Sequence, residues 1–157
     1  MSRFVVSRLP IAFSVAFSLA LSIVALAAGV TLAAEPSIPR SPSPEKARVY
    51  FITPKAGEKL KSPVVVRFGL EGMGVAPAGV AHADTGHHHL IVDAVLPPPG
   101  LPVPKSDHYL HFGGGQTEIS LELAPGKHTL QLLLGDHNHV PHDPLVASEQ
   151  ITIEIVK

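Results

Sequence analysis

All ten histidines of this 157-residue chain fall in one stretch. They are His82, His87, His88, His89, His108, His111, His128, His137, His139 and His142. Imidazole is the side chain that most often ligates metals near neutral pH. A donor set of histidines without thiols suits Cu(II), Zn(II) or Ni(II). The chain has no cysteine, and Met73 is its only methionine beyond the first residue. A thioether-based Cu(I) site is therefore not expected. No nucleophile motif accompanies the histidines, and no motif sets a carboxylate beside them as a general base. An enzyme is not the expected reading.

For separated histidines to act together, the chain must bring them to one place. Seven segments carry strand signals: short runs, β-branched residues, alternation, and Gly/Pro punctuation. They are Ala47–Thr53, Val64–Leu70, His87–Leu96, His108–Phe112, Thr117–Leu123, Lys127–Leu134 and Ser148–Val156. A Gly-rich loop covers residues 71–86, and the five prolines between Pro97 and Pro104 mark a stiff connection rather than a strand. No window beyond residue 45 has a helical apolar stripe. The expected fold is all-β, an immunoglobulin-like β-sandwich of about seven strands.

In that topology, alternate loops cluster at one end. The start of the third strand, the end of the fourth and the loop after the sixth should meet there. The candidate metal ligands are therefore His87, His89, His111, His139, His142 and His137, with copper or zinc as the expected ion. Alternation along the third strand sets His87 and His89 on an open face and His88 with Leu90 and Val92 toward the core. His128 shares a face with Leu130, Leu132 and Leu134 and reads as structural, while His82 reads as a solvated loop residue. Asp93, Asp136 and Asp143 are candidates for orienting imidazoles.

The ends of the chain bear on where such a site would work. Arg3 and Arg8 precede an uncharged, apolar run from Leu9 to Ala34 that closes on Thr31-Leu32-Ala33-Ala34. That is the layout of a cleaved secretory signal. The expected organisation is a signal peptide over 1–34, a Pro/Ser-rich linker over 35–46 and a histidine-rich β domain over 47–157. The expected location is the periplasm or the medium, with no membrane attachment after cleavage. Beyond residue 34, ten basic residues face thirteen acids, leaving the mature chain near −3 with neutral histidines. Such a charge gives no reason to expect a nucleic-acid partner.

Four runs are distinctive in order: Gly86-His87-His88-His89-Leu90-Ile91-Val92-Asp93; His111-Phe112-Gly113-Gly114-Gly115-Gln116-Thr117-Glu118; Pro125-Gly126-Lys127-His128-Thr129-Leu130-Gln131-Leu132; and Leu134-Gly135-Asp136-His137-Asn138-His139-Val140-Pro141-His142. With the loop from Leu70 to Gly79, they resemble the bacterial domain of unknown function numbered 4399, over about Val49 to Ile155. The resemblance implies an exported single-domain protein and assigns no activity. It also implies that position 137 is often not histidine, which sets His137 apart from His139 and His142. The residues themselves point to a divalent metal-binding module. The alternative they leave is an envelope binding or scaffold module, with an unknown partner, whose histidines order the loops.

Overall fold

A computed structural model describes residues 38–157. The expected signal segment and the first residues of the expected linker lie outside the described residues. The described chain is all β. Its strands are β1 (Arg48–Thr53), β2 (Lys59–Leu60), β3 (Val64–Glu71), β4 (Gly74–Val75), β5 (Thr85–Val92), β6 (Tyr109–His111), β7 (Glu118–Leu121), β8 (Gly126–Gly135) and β9 (Ile151–Ile155). One sheet has the order β1-β3-β7, and the other runs β2-β9-β8-β5-β4 with β6 also paired to β5. The two form an immunoglobulin-like sandwich.

Alternation explains how the sheets face each other. Val49 and Phe51 of β1 and Val64, Val66 and Phe68 of β3 point inward, while Tyr50, Ile52 and Val65 remain exposed. Across from them lie Leu90 and Val92 of β5, Leu130, Leu132 and Leu134 of β8, and Ile153 and Ile155 of β9. Apolar area removed from water at this shared face is the main stabilising term in a chain without disulfides.

Three features differ from the sequence-based expectation. The fourth segment, β6, pairs antiparallel with β5 and puts His111 opposite His89. In the constant-type sandwich order it would join the other sheet. The Gly-rich loop contains β4, which pairs parallel with Thr85 and Gly86. The third strand stops at Val92 because Asp93 adopts φ +51° and turns its carboxylate to the Thr129 N–H at 2.8 Å.

The outer face of the β5–β8 sheet has a second apolar cluster. Ile91, Val103 and Leu133 are its buried members, with Ala94, Leu96, Tyr109 and Ala147 packed around them. Val103 belongs to the proline-rich connection, which therefore lies over this face as a strap. The strap is tied by the Val103 N–H donating to the His139 carbonyl at 2.9 Å. The end of the expected linker is tied down as well. Ser41 Oγ donates to Asp136 at 2.7 Å, Arg40 pairs with Asp143 at 3.1 Å, and Ser43 N–H donates to the Asp143 carbonyl at 3.0 Å. Residues 40–43 thus pack against the β8–β9 loop instead of standing away from the domain.

Candidate metal centre

β5 sets the first two histidines of the centre. His87 and His89 are two residues apart and so share one face of the strand. Their Cα partners on β8 are Gly135 and Leu133, both on the outer face. Both histidines are buried, at 0% and 1% exposure. The face expected to be open is covered. The strap and the β8–β9 loop exclude solvent from it.

The two Nε2 atoms approach to 3.0 Å. Two nitrogens each about 2.0–2.1 Å from one tetrahedral zinc ion are about 3.3 Å apart, so an ion between these two would part them only slightly. The 3.0 Å spacing is that of one imidazole donating to the other. In either case the Nδ1 atoms of His87 and His89 are buried without a protein partner. His111 enters from β6 opposite His89, and one ring nitrogen of each of His87, His89 and His111 lies within 4.8 Å of the others. His139, from the β8–β9 loop, brings a fourth ring. Its centroid is 4.7 Å from that of His111, 4.9 Å from that of His87 and 6.1 Å from that of His89.

Glycines make room for these rings. A Cβ at Gly135 would sit 2.8 Å from His89 Nε2, and one at Gly113 would overlap the His111 ring. Here the absent side chain is the requirement, since the imidazoles lie directly over the backbone. In the sequence both stand in the distinctive runs, but neither has a role of its own there.

Burial and mutual repulsion disfavour the charged forms of His87, His89 and His111. Burial, helped by the His111 and His139 charges, pushes the His87 pKa from 6.5 down to about 4. Burial, followed by His87, pushes that of His89 down to about 3. His111 is also lowered, first by burial and then by His139 and Lys105. Desolvation penalises the charged form of a histidine, so the direction is general.

The β8–β9 loop is held by Asp136, which is 1% exposed. One of its oxygens accepts from the backbone N–H of Asn138 at 2.8 Å and of Val140 at 3.0 Å, and the other accepts from Ser41. Burial would raise its pKa, but these bonds outweigh it and hold the carboxyl below its ordinary range. The tight turn they fix carries His139 at φ +67°. An aspartate bonding its own backbone two residues on is a common turn device. Asp136, expected to orient an imidazole, instead bonds Ser41 and the backbone of its own loop. Asp136→Ala leaves two backbone donors without an acceptor. It is expected to cost about 3 kcal/mol of stability, read as a lowered urea midpoint. An unchanged midpoint would show that the carboxylate does not hold the loop.

The other histidines have separate tasks. His142, an expected ligand, is buried on the core side. Its Nδ1 and Nε2 lie 3.3 Å from the Leu134 carbonyl and 3.2 Å from that of Thr85. The turn at Pro141, bridged to Gly135, reverses its direction relative to His139. His137, also expected as a ligand, is turned outward, and its Nε2 accepts from Asn138 Nδ2 at 3.0 Å. Neither joins the four rings. His88 points into the core against Phe68, with centroids 5.2 Å apart and both ring nitrogens unpartnered. His128 donates to Asp93 at 2.7 Å and to the Ala124 carbonyl at 2.9 Å. Burial opposes its charge, but these bonds prevail and raise its pKa. Asp93 therefore serves His128, and Asp143 serves Arg40.

Beside the cluster is a cavity of about 240 Å³ lined by His89, His111, His139, Pro102, Val103, Pro104 and Lys105. Lys105 had no role in the sequence reading. Only the strap's placement over the sheet brings it to the histidines.

No curated protein and no solved structure matches the chain. The family described as "Domain of unknown function (DUF4399)" matches residues 66–156. That span is more than half of the chain and contains all four clustered histidines, the glycines beneath them, Asp136 and the strap. The chain belongs to the DUF4399 family.

Proposed function

We propose that this protein is an exported, periplasmic metal-binding module that holds one copper or zinc ion through histidines. The observation that carries the reading is the meeting of His87, His89 and His111 nitrogens within 4.8 Å of one another. Neutral imidazoles, absent thiols and a neighbouring His139 ring suit a borderline divalent ion. Export is supported by the basic start and long uncharged apolar run of residues 1–34.

The alternative is a scaffold in which histidines order the loops. It is favoured by His108, His128 and His142, whose rings contact backbone carbonyls. It does not account for His87 and His89, whose Nε2 atoms face only each other and whose Nδ1 atoms have no partner.

Equilibrium dialysis of the mature domain with Cu(II) or Zn(II), followed by elemental analysis, tests the proposal. One equivalent per chain is expected. In a His87→Ala/His89→Ala variant, affinity is expected to fall by at least about 100-fold. Wild-type uptake no tighter than that of the double variant would defeat the metal reading and leave the scaffold.

A further inference from the structure

We infer that the metal centre keeps a coordination position open toward the adjacent cavity, and that this position takes a small monoanion of carboxylate size, drawn in by Lys105. The inference deepens the metal-binding reading and rests on it. Its first support is the space. The cavity of about 240 Å³ borders His89, His111 and His139. A water molecule's share of liquid volume is only about 30 Å³. The space therefore exceeds what one bound water requires.

Its second support is charge. His87, His89 and His111 are neutral donors, so a divalent ion held by them would keep its full charge. Catalytic and exchange sites with three protein ligands commonly leave the next position to an external ligand. Among the described residues, no carboxylate lines the cavity. The nearby buried acid, Asp136, has both oxygens committed to Ser41, Asn138 and Val140. Among the described residues, the one side chain with a permanent charge on the wall is Lys105.

The third support is the character of the other walls. Pro102 and Pro104 have no N–H to offer, and the Val103 N–H is already given to the His139 carbonyl. A neutral polar ligand would find few donors here, whereas a small anion would meet the ion on one side and the ammonium on the other.

Azide is a suitable probe because its charge-transfer band with Cu(II) reports coordination directly. The mature domain is first titrated with Cu(II), and the loaded protein is then titrated with azide. A saturable band is expected. Lys105→Gln should weaken azide binding to the Cu(II)-loaded protein about tenfold, and Lys105→Arg should restore most of it. Lys105 is exposed, so neither substitution disturbs the core. Failure to take up Cu(II) would overturn this inference, and failure to take up Zn(II) as well would overturn the metal reading with it. Normal uptake without an azide band, or equal azide affinity in Lys105→Gln, would overturn the inference alone.

Discussion

Acidification from pH 7 to pH 4 is expected to unfold the metal-free domain. His87 and His88 titrate near 4 in the folded state and His89 near 3, against 6.5 for a free histidine. In each case burial is the largest cause. Between these limits the unfolded chain binds protons that the folded chain refuses. Stability is therefore complete above pH 6.5 and falls as pH drops toward the folded values.

Each such group contributes about 1.4 kcal/mol per pH unit inside the window. Three acting together lose about 4 kcal/mol per unit, and a domain has only about 5–15 kcal/mol in total. Asp136 offsets part of the effect at His87, and exposed His111 adds little because solvent screens it. Thermal melts at half-unit steps of pH should show the midpoint falling steeply below pH 6. His88→Leu should make the fall shallower, since it removes a core imidazole that has no hydrogen-bond partner. A midpoint independent of pH between 7 and 4 would contradict the buried neutral state of these rings.

Gly135→Val is expected to destroy metal binding with a smaller loss of stability. Gly135 is the last residue of β8, where valine is otherwise a favourable strand former. Its backbone is therefore not the obstacle. The obstacle is the His89 ring, whose Nε2 would lie 2.8 Å from even a single added carbon, with His139 Cα 3.5 Å away. Overpacking of a buried site costs about 1–3 kcal/mol. The displacement also separates His89 from His87 and His111, so metal affinity should fall at least about 100-fold. Isothermal titration with Zn(II) and urea denaturation on the same variant separate the two effects. A variant that binds Zn(II) like the wild type would show that His89 is not held in its ligating position by this contact.

Much of the site was legible from alternation. His88 falls among Leu90 and Val92 and goes inward, while His87 and His89 go outward together. Their meeting with His111 and His139 was expected from alternate loops gathering at one end of the sandwich, although His111 arrives by the pairing of β6 with β5. What alternation did not supply is the behaviour of loops. His139 and His142 are three residues apart, yet the Asp136-centred turn and the Gly135–Pro141 bridge send them to opposite sides of the sheet. The proline-rich stretch has no period, so nothing local said that Val103 would pack on Ile91 and Leu133 and bury the histidine face. The partner choice of β6 was hidden for a related reason. A three-residue strand carries too few side chains to specify which sheet it joins.

The four clustered rings come from three separate stretches of the chain: β5, the end of β6 and the β8–β9 loop. One ion held by His87 and His89 of β5 and His111 of β6, with His139 beside it, would be a staple in a protein that has no cysteine to make one. With zinc as the ion, such a crosslink, unlike a disulfide, is indifferent to the redox state of its surroundings, and with either ion it can be withdrawn by a chelator. The rigidity of this end of the sandwich would then follow the local concentration of metal.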